Sequence, residues 1–479
     1  MPAPLPPRRD NCDCGWREYA LSLEVDIAHI KSEIELLKRR SFGRKSEKMP
    51  SMERQLRNGK KADPDAILGK RREAAAQKEG LVTEVVPIPV PSEQCRCPAC
   101  GTGNLRPIGP GKPSSIYEYV PGYFRRRLYV RETLRCTCGE YIVTAPCPEK
   151  STEKTQYSPS FVAHLMVSKC GDSMPLYRLE KHYGRLGIPI ARSTMNDLLH
   201  RNAELLAPLW KRLLALIAAS VVVMADETTI RVMGSKKRAY MWTFLSDTLI
   251  AYQFSLSRSS ETPRAVLGGT TGTLVVDAYT GYNRVTAVGG RERAGCLAHA
   301  RRKLFEASSF APEAQTALAL IRDLYVVEHE AKERGVAKTA DHLAMRQARS
   351  RPLMNALSAW LVEQEPLHPP KSPLGRAIGY ARKNWQALTR FLDDAAIPPD
   401  NNASEAALRI VALGRKNFLF VGNEDAGENI AGLYSLISTC AANGVNPLEY
   451  LTDVLLRVQT HPAERIDELL PHRWQRPAA

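Results

Sequence analysis

No run of about 18 consecutive apolar residues occurs in the sequence, which excludes a membrane-spanning helix. The longest candidate, Leu213–Val223, soon meets Asp226. Met1–Asp10 has no apolar core of the kind a secretory leader needs, so the expectation is a cytosolic protein. Cysteine pairing is not suggested either. Eleven cysteines is an odd count, and a disulfide framework is not expected in the cytosol. Internal repeats and low-complexity tracts are missing. Acid is scarce relative to base. Against 67 Lys and Arg stand 51 Asp and Glu, for a formal net charge of +16. Such an excess points to a polyanionic partner, nucleic acid first among them.

Hydrophobic residues make up 44% and charged residues 25%, so the chain can bury ordinary cores and dominant disorder is excluded. At roughly 100 to 200 residues per domain, the length suggests about three domains. Trp16, Ala20, Leu23, Ile27, Ile30, Ile34 and Leu37 follow heptad spacing. They predict a short coiled coil pairing two protomers, or one amphipathic helix lying on its own domain. From Lys38 to Lys61, ten Lys or Arg face two acids, as in a phosphate-binding stretch or a solvated charge run. The alternating prolines of Val86–Pro91 read as an extended linker.

Cys97-Pro-Ala-Cys100-Gly forms a knuckle, in which backbone amides can turn toward two thiolates. Cys136-Thr-Cys138-Gly is a second, with an unusually short spacer. Together Cys97, Cys100, Cys136 and Cys138 predict a Zn²⁺ ribbon, with Cys95 or Cys147 as substitute ligands. Reduced structural cysteines are the alternative. Arg125, Arg126 and Arg127 make this module basic, as DNA binding requires. Between 155 and 205 the pattern is helical. Ser193 reads as an N-cap, and the segment is either a helix-turn-helix or a plain helical hairpin.

Strand-like runs follow at Ser220–Met224, Arg238–Leu245, Leu249–Leu256 and Leu274–Val276. Two buried strands run into acids, Asp226 and Asp277. On neighbouring strands these carboxylates would repel unless a cation such as Mg²⁺ neutralised them. Glu405 is the candidate third carboxylate, although Asn402 and Glu405 also fit a capping box.

The segments Ala225-Asp226-Glu227-Thr228, Val276-Asp277-Ala-Tyr-Thr-Gly-Tyr282, Cys296-Leu-Ala-His299-Ala-Arg301-Arg302-Lys303, Asp400-Asn-Asn-Ala-Ser-Glu405 and Gly414-Arg415-Lys416-Asn-Phe-Leu-Phe420, in this order, resemble the transposases of the insertion sequence 66 family. The resemblance extends to the zipper-like start and the cysteine cluster. It implies a multidomain α/β protein with an RNase H-like catalytic core. It further implies a DDE transposase that cleaves DNA at terminal inverted repeats and transfers the freed strand to target DNA. Asp226, Asp277 and Glu405 would bind Mg²⁺ or Mn²⁺. Arg301, Arg302, Arg415 and Lys416 would contact phosphates, and Cys296 and His299 would support the site. Ala406 and Phe418 stand where the family commonly has Arg and Trp.

The domain expectation is a zipper at 1–48, a linker at 49–92, a zinc module at 93–150 and a helical DNA-binding segment at 151–210. The core follows at 211–303, a helical insertion at 304–390, the Glu-bearing part of the core at 391–430 and a helical end at 431–479. A homo-oligomer, companion proteins of the same mobile element and residence on the bacterial nucleoid are part of what the resemblance implies. The alternatives are a non-catalytic zinc-ribbon regulator with a degenerate nuclease-like domain, and a nuclease that cleaves without joining.

Overall fold

The computed structural model describes residues 155–476 continuously, and before them residues 27, 30, 68, 69, 72, 122–129, 132–135, 142–144 and 149–152. The chain divides into two compact units, residues 53–127 and the remainder. In the first, residues 122–127 belong to no helix or strand, and Arg125, Arg126 and Arg127 are exposed. The expected ligands Cys97, Cys100, Cys136 and Cys138 lie outside the described residues. So does the heptad seam, apart from Ile27 and Ile30, which are helical and about half exposed.

The second unit opens with a small antiparallel pair, β1 (Thr133–Arg135) and β2 (Ile142–Thr144). Four helices follow: α1 (Pro159–Met166), α2 (Leu176–Arg185), α3 (Arg192–Leu205) and α4 (Ala207–Ala218). Gly187, at φ +83°, makes the turn between α2 and α3. The N-cap of α3 is Ala191, with no side-chain cap, so Ser193 lies inside the helix rather than before it. Among the described residues, no helix is long and apolar enough to cross a membrane.

Next comes a mixed five-stranded sheet. Its strands are β3 (Val222–Arg231), β4 (Arg238–Ser246), β5 (Leu249–Ser255), β6 (Thr273–Val275) and β7 (Glu292–Ala294), in the spatial order β5-β4-β3-β6-β7. β3, β4 and β5 are antiparallel neighbours, whereas β6 and β7 run parallel to β3. Five successive residues of β4, Met241–Leu245, are buried, so the sheet is covered on both faces there. Helix α5 (Glu261–Leu267) bridges β5 and β6. Arg291 is 1% exposed and locks the junction. Its guanidinium donates to the carbonyls of Ala218 (2.7 Å), Ser220 (2.8 Å) and Thr273 (3.2 Å) and to Thr270 Oγ1 (2.8 Å).

From Leu297 the chain is helical: α6 (Leu297–Ala307), α7 (Ala314–Glu333), α8 (Ala340–Met345), α9 (Arg351–Gln364), α10 (Pro373–Lys383) and α11 (Trp385–Thr389). The apolar faces of α6, α7, α9, α10 and α11 close one core with Val275 and Ala294 of the sheet. Buried Arg346 pairs with both oxygens of Glu328 and donates to the carbonyls of Phe391, Asp394 and Ile397. It thereby anchors the loop that leads into α12 (Asn402–Phe418). Helix α12 packs on β3 and β4, and α13 (Glu424–Ala442) packs on β5. Buried Ser435 and Thr439 of α13 accept the β5 amide protons of Tyr252 and Ile250. The last helix is α14 (Pro447–Arg457).

Candidate active site

β3 does not stop at Asp226, as its apolar run alone suggested. Thr228, Thr229 and Ile230 are β-branched and continue the ladder with β4 as far as Arg231. The strand that stops is β6. Met224 of β3 lies opposite Val275 of β6, and two residues further along each chain stand Asp226 and Asp277. The two acids therefore share a level where the parallel sheet opens. Beyond Val276 the chain turns, and Asp277 Oδ1 accepts from the Tyr279 amide at 2.9 Å.

Glu405 reaches this end on the first turn of α12. Two bonds set that helix. Asn401 Nδ2 donates to the carbonyl of Ala225, the residue before Asp226, at 2.8 Å, and its amide donates to Cys296 Sγ at 3.2 Å. Asp400, beneath, accepts from the Tyr325 hydroxyl at 2.6 Å. Asn402 is inside the helix and not its cap, so the capping-box reading of Glu405 is not realised. Instead Glu405 Oε2 lies 3.5 Å from Arg302 and Oε1 lies 3.9 Å from His299 Nδ1. The latter gap is too long for a hydrogen bond, and both Oε1 and Nδ1 are buried without one.

The electrostatics are unfavourable for the protein alone. Burial pushes the Asp226 carboxyl up to about 7, and the charges of Glu227, Asp277 and Glu405 push in the same direction against the amide bond from Glu227. Burial also raises the Cys296 thiol to about 12, which fits an inert acceptor beneath Asn401 rather than a thiolate ligand. Among the described residues, no three His, Cys, Asp or Glu side chains stand close enough together to hold an ion. The donor chemistry is that of hard oxygen ligands: Asp226 is protonation-prone through burial and feels the charges of Asp277 and Glu405, and Glu405 carries an unpartnered buried oxygen, but the three are not gathered into one cluster.

The other expected residues fall into two groups. Arg302 and Lys416 are exposed. Arg301 is 6% exposed, and Arg415 is turned inward, where Nη1 donates to Thr228 Oγ1, Thr229 O and Thr229 Oγ1 at 2.6–3.1 Å. Arg415 thus binds the Glu405 helix to the Asp226 strand.

Sequence reasoning missed Glu227. Its side chain is 3% exposed and accepts from the Tyr282 hydroxyl at 2.7 Å and from Arg258 Nε at 2.8 Å. The Arg258 guanidinium lies 3.8 Å above the Tyr279 ring, and Arg293 donates to the Tyr279 carbonyl at 3.0 Å. This network clamps the loop that carries Asp277. No local pattern announced it, because its partners Arg258 and Tyr282 lie 31 and 55 residues away along the chain.

Two family descriptions match the chain. That of the Transposase IS66 family covers residues 154–429, and that of the IS66 C-terminal element covers residues 435–472. The chain is similar to two proteins of Sinorhizobium fredii (strain NBRC 101917 / NGR234) named as uncharacterized. It is 32% identical to y4jD over 84% of this chain and 83% of that one, and 30% identical to y4hP over 81% and 75%.

Proposed function

The chain belongs to the IS66 transposase family, and from that membership we propose that it cleaves DNA at terminal inverted repeats and transfers the freed 3′ ends to target DNA. The observation that carries this reading is that Asp226 and Asp277 each stand two residues beyond the last paired residues of adjacent parallel strands, Met224 and Val275, with the Glu405 helix tied to the β3 carbonyl of Ala225 by Asn401. We take the mixed sheet as an RNase H-like core and the helices between 304 and 390 as an insertion available to DNA or to a partner subunit.

Transposases of the DDE class use divalent metal in general. Asp226, Asp277 and Glu405 would hold Mg²⁺ or Mn²⁺, which supplies Lewis-acid stabilisation of the attacking and leaving oxygens. The protein's own part is positioning and charge. Asn401 sets the distance of the Glu405 helix from the Asp226 strand, and the Glu227–Arg258–Tyr279 clamp holds the Asp277 loop. His299 and Arg302 keep Glu405 close until it turns toward the aspartates. The carboxylates serve as ligands and not as nucleophiles, so no covalent protein–DNA intermediate forms. Exposed Arg302 and Lys416 remain available to phosphates, while Arg301 and Arg415 serve as internal braces. Cys97, Cys100, Cys136 and Cys138 are proposed to hold Zn²⁺, which elemental analysis of the purified chain reads directly; a metal-free protein refutes it.

The test incubates purified protein with Mg²⁺ or Mn²⁺ and oligonucleotides bearing the element ends. Nicked and strand-transferred products are expected, lost with chelator and reduced at least about a thousandfold in Asp226→Ala or Asp277→Ala. Cleavage that survives either substitution refutes the assignment.

A further inference from the structure

The hairpin joining β3 to β4 projects beyond the rest of the sheet. β5 ends opposite Tyr240, and β6 ends opposite Met224. Beyond those ends, residues 231–233 hydrogen-bond by backbone to the chain after α12. Val232 bridges Val421, the Val421 amide donates to Arg231 O at 2.9 Å, and the Met233 amide donates to Val421 O at 2.8 Å. Gly234, at φ +72°, and the Ser235 hydroxyl close the turn.

This tip is strongly basic. Arg231, Lys236, Lys237 and Arg238 are all exposed, no acid occurs between 231 and 238, and none of the four has an ion-pair partner among the described residues. Arg231 and Arg238 also face each other directly across the ladder. Like charges at such a pair destabilise the hairpin, a penalty that an external polyanion relieves. The nearest acids along the chain on the Val421 side, Glu424 and Asp425, occupy the first turn of α13, where the helix N-terminus is their counter-charge.

Apolar side chains flank these cations. Met233 is 62%, Leu419 59% and Phe420 46% exposed. Leu419 holds a left-handed backbone at φ +65°, which turns the chain sharply out of α12 and leaves both it and Phe420 in solvent. A small anion needs a cupped site with converging donors. Cations spread along a projecting ridge, with exposed apolar groups among them, match a polymer of repeated charge that also offers sugar and base surface.

We propose that hairpin 231–238, with Leu419 and Phe420 beside it, grips duplex DNA on the flank of the cleavage site. The four cations meet phosphates, and Phe420 meets sugars and base edges. The assignment rests on the reading of Asp226 as part of the catalytic centre. Five residues of strand separate Asp226 from Arg231, about 17 Å at 3.3 Å per residue. At 3.4 Å per step along a DNA strand, the grip falls about five base pairs from the reacting phosphate. Arg415 stiffens the intervening strand through Thr228 and Thr229, so the tip and the centre move together.

The experiment measures binding of the full-length protein to a duplex carrying the element end, by fluorescence anisotropy across a salt series. In the triple variant Lys236→Ala/Lys237→Ala/Arg238→Ala, the slope of log K against log salt falls by about 2 to 3, at roughly 0.9 per lost phosphate contact. Lys236→Arg/Lys237→Arg keeps the wild-type slope. Phe420→Ala weakens binding about tenfold at every salt concentration and leaves the slope unchanged. Circular dichroism identical to wild type excludes misfolding of these surface variants. An unchanged slope in the triple variant, an unaffected Phe420→Ala variant, or displacement of the DNA by anionic lipid vesicles overturns the proposal. If wild type cleaves end DNA while the triple variant keeps its slope, this inference alone falls. If wild type neither binds nor cleaves, the transposase reading falls with it.

Discussion

Asp226 is held in a state that the folded protein alone does not favour. Its carboxyl is lifted from the ordinary carboxylate range to about 7 by burial and by three neighbouring acids. Because the folded state binds this proton more tightly than the unfolded chain does, the penalty is absent below about pH 4 and complete above about 7. Asp226→Asn removes the charge and keeps the shape. In metal-free protein at pH 8 it is expected to stabilise the fold, by on the order of 1 to 4 kcal/mol in chemical denaturation, while abolishing catalysis. A destabilised Asn variant would show that the carboxylate's own bonds outweigh its repulsion. Stability gained with activity lost is what a functional carboxylate predicts, and a strand-ending Asp of structural origin predicts the reverse. Asp226, Asp277 and Glu405 stood out in the sequence as acids within motifs, Asp226 and Asp277 each following an apolar run. Glu227 did not. Its partners Arg258 and Tyr282 lie 31 and 55 residues away along the chain, and only folding reveals them.

At the scale of elements, the site depends on how α12 lies against β3. Three contacts set it: Asn401 on Ala225, Arg415 on Thr228 and Thr229, and packing of the helix on β3 and β4. Arg415→Ala leaves two threonine hydroxyls and a carbonyl without their donor and is expected to cost about 1 to 3 kcal/mol, read as a lower midpoint in urea. Arg415→Lys is expected to recover only part of this, because one ammonium cannot reproduce the planar fork of a guanidinium. A change confined to DNA affinity, with stability intact, would return Arg415 to the phosphate-contact role its charge suggested. The start of helix α12 and both ends of strands β4 and β5 were readable to within a residue or two. β3 was misjudged at its far end, because Thr228–Ile230 carry a strand signal that the acid before them obscured. Ser193 failed as a cap because Ala191 already starts that helix, a choice made by the fixed path from α2 rather than by local chemistry.

At the scale of the whole molecule, the formal charge of +16 is unevenly used. Arg291, Arg301 and Arg346 are buried, and Arg291 and Arg346 donate mainly to backbone carbonyls. The cations free for DNA are therefore surface groups such as those of the β3–β4 tip. Under the proposed metal role, loading of the site couples to global stability. Mg²⁺ at about 100 times its dissociation constant is expected to add about 2.7 kcal/mol and raise Tm in wild type, and to add nothing in Asp277→Ala. An equal rise in both would place the ion elsewhere. The sequence by itself carried the family resemblance, through its ordered motifs, and the helical or extended character of most segments, through residue type and short-range periodicity; Asp226, Asp277 and Glu405 stood in those motifs as candidates. Only the tertiary structure decided which basic side chains face inward, that Asp226 and Asp277 share one level, and that Glu405 rests against His299 and Arg302. Those outcomes depend on which distant segments pack together, and contacts such as those of Glu405 with Arg302 and His299, 103 and 106 positions away, leave no trace in local pattern.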